Sequence, residues 1–225
     1  MIKLCIFDLD GTVLDTVHTI AYYGNLALSK NGIGPIDDGE YNYFAGNGAV
    51  NLIKRMLRFR NALTDAVFEK VFADYNAAYN ADTTYLTAPF DGIKETLDAI
   101  KARGIKIAIL SNKPHFATCG VINSLFGEGY FDCVYGQREG VPLKPDSTAV
   151  YQIIEEANVK PEDCLYIGDT GTDMETGKNA KLCTVGVLWG FRDKEELLEN
   201  GANFIIEKPC QLLDCINARK EVERI

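Results

Sequence analysis

The sequence predicts an α/β protein: a parallel sheet covered by helices on both faces and interrupted, after its first strand, by an inserted helical subdomain. Three observations carry that expectation. Short apolar runs recur at 2–7 (IKLCIF), 105–110 (IKIAIL), 131–135 (FDCVY), 164–167 (CLYI), 182–187 (LCTVGV) and 204–206 (FII). Each is too short for a helix and continuous enough to be a strand buried on both faces. Helical patterns lie between most of them, and such alternation gives parallel strands joined by right-handed crossovers. From about residue 17 to 83, by contrast, the chain shows helical patterns and no convincing strand.

Taken in order, the first run passes into a polar segment at Asp8, and the insertion follows with helical patterns at 17–30, 49–59 and 65–80. Turns containing Gly32, Gly34, Gly39, Gly46 and Gly48 join them. The chain returns near Leu86 to Pro89, so residues 1–16 and 84–225 are expected to form the α/β core and 17–83 a helical cap. Over 92–103, Ile93, Leu97 and Ile100 share one helix face, and Gly104 follows as a stop. Asp146 is expected to cap a helix at 147–157 whose buried stripe is Val150, Ile153, Ile154 and Ala157. The architecture is therefore a Rossmann-like parallel sheet core with an inserted α-helical cap subdomain.

Composition limits the function classes. At 225 residues with 47% hydrophobic and 24% charged residues, the chain has the makeup of an ordinary globular protein. No uncharged run reaches the ~18 residues of a membrane span, and Met1 leads directly into a strand, so a cytoplasmic protein without membrane attachment is expected. A net charge of −9 argues against nucleic acid as a partner. The basic group Lys54, Arg55, Arg58 and Arg60 reads as a solvated helix face. Seven cysteines without CxxC spacing read as reduced thiols. His18 and His115, the only histidines, are distant in sequence and read as structural, which disfavours zinc. A monomer and a homodimer are both compatible with these features.

Chemistry concentrates just after the apolar runs, where ligands of open α/β sheets bind. Asp8-Leu9-Asp10-Gly11-Thr12 follows the first, Ser111-Asn112-Lys113 the second and Gly168-Asp169-Thr170-Gly171-Thr172-Asp173 the fourth, while Lys144-Pro145 precedes a helix. In extended backbone Asp8 and Asp10 point to one side and Leu9 to the other. Carboxylates that close need a cation or a proton, and Asp169 and Asp173 add two more at the same edge. Oxygen donors with no soft ligand suit Mg²⁺. Lys144 and Lys113, with Ser111 and Asn112 as donors, suit the oxygens of a phosphate, and the set fits phosphoryl transfer.

The segments DLDGT (8–12), SN (111–112), Lys144 and GDTGTD (168–173), in this order, resemble the four motifs of the haloacid dehalogenase superfamily. The whole chain is similar to its phosphoglycolate phosphatase-like group, which carries a helical cap between the first two motifs. The resemblance implies that Asp8 is the nucleophile forming an aspartyl phosphate, and that Asp10 protonates the leaving oxygen and then deprotonates water. It implies Mg²⁺ held by the Asp8 carboxylate, the Asp10 backbone carbonyl and Asp169, with Asp173 orienting water on the ion. Thr12, Ser111 and Asn112 would position the nucleophile and phosphoryl oxygens, Lys144 would offset their charge, and Lys113 is a further phosphate-binding candidate.

Departures from other branches narrow the activity that the resemblance implies. Asp10 is present, whereas true dehalogenases and the phosphonate-cleaving relatives lack an aspartate there. Ile20 stands where a phosphosugar mutase would be expected to carry histidine. The implied function is a Mg²⁺-dependent phosphatase acting on a small phosphorylated metabolite, with phosphoglycolate as the first substrate. A nucleotidase or inorganic pyrophosphatase comes next and a mutase after it. A regulatory protein that merely binds a phosphate ligand is the non-enzyme alternative, against which the intact Asp8 and Asp10 argue. Gly46 and Gly48 mark a bend where cap backbone can approach a ligand, and Arg192 reads as part of a structural ion pair near the cleft rim.

Overall fold

The computed structural model describes residues 1–222 and begins with β1 (Leu4–Phe7), whose side chains alternate between two covered faces. Leu4 and Ile6 enter one apolar layer, and Cys5 and Phe7 enter the other. After β2 (Leu14–Asp15) the chain makes four helices in succession, α1 (Val17–Lys30), α2 (Asp38–Phe44), α3 (Gly48–Phe59) and α4 (Asp65–Ala81), and returns through β3 (Ala88–Pro89). The α/β alternation then runs α5 (Ile93–Lys101), β4 (Lys106–Pro114), α6 (His115–Phe126), β5 (Cys133–Gln137) and α7 (Thr148–Ala157). It is completed by β6 (Cys164–Gly168), α8 (Gly171–Asn179), β7 (Cys183–Val187), α9 (Lys194–Glu199), β8 (Phe204–Ile206) and α10 (Leu212–Val222).

Six strands form one parallel sheet in the order β5-β4-β1-β6-β7-β8. The order runs outward in both directions from β1, so the crevice beyond its carboxyl end is the topological switch point. That arrangement sets Asp8, at the end of β1, between the ends of β4 and β6. One face is covered by α5, α6 and α10 through residues such as Leu97, Val121 and Ile216, and the other by α7 through Val150 and Ile153.

The inserted helices have their own apolar centre, built on Tyr41, Ile53, Met56, Leu57 and Val71. Fully burying side chains of that size contributes about 1.5–3 kcal/mol each. The entry and exit of the insertion are clasped by a two-residue antiparallel ladder, Leu14 opposite Pro89 and Asp15 opposite Ala88, extended by Phe90 N–H donating to Val13 O at 3.2 Å. Such a short ladder leaves no periodic trace in the sequence.

Three details differ from the sequence expectation. Helix α2, DGEYNYF, is additional; seven residues with only Tyr41 and Phe44 buried give too little periodicity to read. The helix expected over 147–157 with Asp146 as its cap begins one residue later, at Thr148, with Ser147 at the cap position, while Asp146 Oδ1 accepts the Thr148 N–H at 2.8 Å. Strand β4 continues to Pro114, with a register irregularity between Leu110 and Pro114, so Ser111, Asn112 and Lys113 lie within a bent strand and not beyond it.

No disulfide joins the cysteines among the described residues. No helix among them is long and apolar enough to cross a membrane.

At the amino-terminal end of the sheet, the buried Asp163 accepts from Lys3 Nζ at 2.6 Å and from the terminal amine at 3.4 Å. The Lys3 hydrogen bond holds its carboxyl below the ordinary carboxylate value. A depressed pKa contributes stability above the unfolded value that is lost as pH falls through the folded one. Asp163→Asn is therefore expected to cost about 0.5–1 kcal/mol in urea unfolding at neutral pH, allowing for the exposed lysine, and progressively less as pH falls below the ordinary carboxylate value.

Candidate active site

At the carboxyl end of β1 the backbone is fixed before any side chain acts. Asp8 N–H donates to Ile167 O of β6 at 2.9 Å, and Gly11, Val13 and Leu14 close a tight turn back on Leu9 and Leu14. Gly11 has φ +88°, and a Cβ there would fall 2.3 Å from Asp169 Oδ2. Only glycine lets this turn and the Asp169 carboxylate share the space.

Three carboxylates meet below that turn. Asp8, Asp169 and Asp173 can each bring one oxygen within 4.8 Å of the others, and all three are buried. A single ammonium compensates them directly: Lys144 Nζ lies 2.8 Å from Asp8 Oδ1 and 2.7 Å from Asp173 Oδ1. Burial alone would push Lys144 below its ordinary value, but Asp173 and Asp8 reverse this and hold it protonated. Burial, followed by the charge of Asp173, pushes the Asp8 carboxyl well above the usual range. The same two causes push Asp169 up to about 7. An oxygen-only pocket with three acids against one lysine is short of positive charge, and its donor set fits a hard divalent cation.

The remaining predicted residues surround this centre. Asp10 Oδ1 accepts from Lys113 Nζ at 2.7 Å, so Lys113 partners an acid where the sequence suggested a phosphate contact. Thr12, expected to face the nucleophile, donates its hydroxyl to Asp169 Oδ1 at 2.7 Å. Asp169 Oδ2 accepts the Phe191 N–H at 2.8 Å. Ser111 lies on the cavity wall and accepts the Lys113 N–H at 3.2 Å. Asn112 accepts the Lys144 N–H at 2.9 Å and donates to Gly46 O at 3.2 Å, tying the lysine loop to the cap. Asp173 is the third residue of α8, where Thr170 caps the helix and donates its hydroxyl to Asp173 Oδ2 at 2.6 Å. That capping box and the lysine pair use both oxygens of one carboxylate.

The cap closes over the crevice, leaving a cavity bounded by Asp8, Asp10 and Ser111 on the core side. Gly46 and Gly48 do reach its wall. Several contacts that hold the cap down were not legible as site features. Asn47 donates to Thr172 Oγ1 at 2.6 Å, and Arg55 donates to Asn47 Oδ1 at 2.7 Å and to Phe44 O at 2.9 Å. Arg55 thus serves the closed arrangement, whereas the sequence placed it on a solvated face. Arg192 makes the expected ion pair, with Glu196 at 3.1 Å, and also reaches the carbonyls of Asn42 and Ala45 at the end of α2. His18 pairs with Asp38 on the cap surface, and His115 accepts from Gly136 N–H, so both stand away from the chemistry.

A family model described as haloacid dehalogenase-like hydrolase matches residues 5–187. The chain belongs to that family. A phosphoglycolate phosphatase of Aquifex aeolicus is 30% identical over 213 residues, covering 94% of this chain and 95% of the relative. Phosphoglycolate phosphatase 1 of Pseudomonas aeruginosa is 27% identical over 223 residues, 98% of this chain and 82% of its own length. A crystal structure from Lactobacillus delbrueckii subsp. bulgaricus, provisionally assigned as a phosphoglycolate phosphatase, superposes with TM-score 0.91 at 28% identity over 95% of this chain and 98% of that one. The haloacid dehalogenase-like core and helical cap are thus shared over nearly the full chain, and the buried aspartate cluster marks it as a hydrolase of the phosphatase kind.

Proposed function

We propose that the protein hydrolyses a small phosphomonoester in two displacements at phosphorus, with Asp8 as the nucleophile and residues 17–83 as the cap over the substrate. The observation that carries this reading is the state of the Asp8 carboxylate. Its Oδ1 is engaged by the Leu9 N–H at 2.6 Å and by Lys144 at 2.8 Å, which leaves Oδ2 to attack from the cavity wall. Attack forms the bond from Asp8 to phosphorus as the bond from phosphorus to the leaving oxygen breaks, and Asp10, entering the step as the carboxylic acid and positioned by Lys113, gives that oxygen its proton. Water then attacks the aspartyl phosphate, Asp10 takes the water's proton, and inorganic phosphate departs with Asp8 restored.

Mg²⁺, held by Asp8, Asp169 and the Asp10 carbonyl with Asp173 beside them, would neutralise charge on the transferred phosphoryl group. Lys144 orients Asp8 and opposes the upward push that burial and Asp173 give its carboxyl, and Ser111 offers a hydroxyl at the cavity wall. Ile20, on the cavity wall, provides no proton-transfer group of the kind a mutase needs, which favours release of the product over its return.

Phosphoglycolate, the activity named for the Aquifex and Pseudomonas relatives, is the reference compound for the assay. Mg²⁺-dependent phosphate release should be ranked by kcat/KM across small phosphomonoesters, nucleoside monophosphates and pyrophosphate. Tight binding of these without turnover above a no-enzyme control would overturn the reading in favour of a phosphate-binding protein. Asp10→Asn is expected to lower kcat by about 10²–10⁴-fold with an alkyl phosphate and by less with p-nitrophenyl phosphate, whose leaving group needs no proton. Equal losses of kcat/KM, which reads the first displacement alone, on both esters would remove Asp10 as the donor to the leaving oxygen.

A further inference from the structure

The cap side of the cavity is uncharged. Asn76 and Asn80, one turn apart on α4, bring two amides to it, Tyr75 and Tyr79 bring stacked rings with centroids 5.4 Å apart, and the rest of the cap wall is aliphatic or glycine. The cavity's one cation among the described residues, Lys113, is committed to Asp10 at 2.7 Å and lies 4.9 Å from the centre of the Tyr79 ring. Tyr79 is 5% exposed, and its buried hydroxyl has no hydrogen-bond partner among the described residues. Buried hydroxyls are rarely left so, and one on a substrate cavity is satisfied when a ligand supplies the missing partner. Burial and the nearby Asp10 charge keep this phenol in its neutral form, able to donate. A carboxylate entering the same space would face Asp8 and Asp10 with no uncommitted cation to receive it.

We propose that this face of α4 is a specificity subsite for an uncharged, hydroxyl-bearing leaving group, with Tyr79 donating to its oxygen and the Asn76 and Asn80 amides completing the contacts. The subsite discriminates against carboxylate-bearing esters, phosphoglycolate included. The proposal rests on the phosphatase reading given above.

The test compares kcat/KM of the full chain with Mg²⁺ on 2-hydroxyethyl phosphate and phosphoglycolate, which differ only in CH₂OH against COO⁻, with ethyl phosphate and p-nitrophenyl phosphate alongside. The hydroxyethyl ester should be preferred to phosphoglycolate by about 10-fold or more. Tyr79→Phe should lower the ratio of hydroxyethyl to ethyl phosphate by about 10-fold, and Asn76→Lys should move the preference toward phosphoglycolate by a similar factor. A parent enzyme that prefers phosphoglycolate, or a Tyr79→Phe ratio that does not move, overturns the subsite while leaving the phosphatase reading intact. Failure to hydrolyse any of the four esters overturns both.

Discussion

Asp8→Asn is expected to lower turnover of every phosphomonoester the protein accepts by at least about 10⁴-fold and to abolish an acid-stable, base-labile phosphoenzyme. The amide keeps the shape of the carboxylate and an oxygen to accept the Leu9 N–H, so the turn after β1 should survive. What it loses is the anionic Oδ2. The change also removes one of three carboxylates crowded around Lys144, which retains Asp173 at 2.7 Å. Because burial and Asp173 already push the Asp8 carboxyl up, the variant should unfold no more easily than the parent in the absence of divalent metal. Acid quench after exposure to labelled substrate, followed by base treatment, measures the intermediate, and thermal unfolding measures the fold. The same phosphoenzyme on the variant would remove Asp8 from the nucleophile's role.

The strands and the site were legible in the sequence for the same reason. A strand buried on both faces must be apolar throughout, so the residue where polarity resumes marks its carboxyl end, and the parallel topology brings those ends together. Asp8 and Asp169 were singled out this way, and Lys144, read from its loop as a contact for phosphate oxygens, lies against Asp8 and Asp173. The specific partners were less visible. Thr12 and Asn112 were expected to face the phosphoryl group, whereas one serves Asp169 and the other joins the Lys144 loop to Gly46. Hydroxyl and amide direction depends on which neighbours the fold delivers, and those lie 157 residues away for Thr12 and 66 and 32 for Asn112.

The cap was legible as helices but not as a surface. Along α4 the period that buries Val71, Tyr75 and Tyr79 reads as core, and only the seating of the cap on the sheet turns Tyr75 and Tyr79 toward Asp10. Phe191 shows the same limit. Its ring joins the cap's apolar centre while its N–H donates to Asp169, so one residue links cap packing to the acidic cluster without any local sequence signal.

Lys144→Met should produce the largest loss of stability, about 3–5 kcal/mol in urea unfolding of the metal-free protein. The methionine fills a similar volume, so the loss comes from electrostatics: Asp8, Asp169 and Asp173 stay buried and the ammonium within 2.8 Å of two of them is gone. The loss should grow with pH. A carboxyl whose folded pKa is raised binds its proton more tightly folded than unfolded, so its stability is fullest below the unfolded value and declines as pH climbs toward the folded one. Asp169, already at about 7 with Lys144 in place, sets the window, and the variant should lose more at pH 8 than at pH 5. Adding Asp173→Asn should recover part of the loss by removing one of the uncompensated charges. A deficit under ~1 kcal/mol at pH 8, or one independent of pH, would mean that water or a shifted proton already neutralises the cluster and that Lys144 is not its counter-charge.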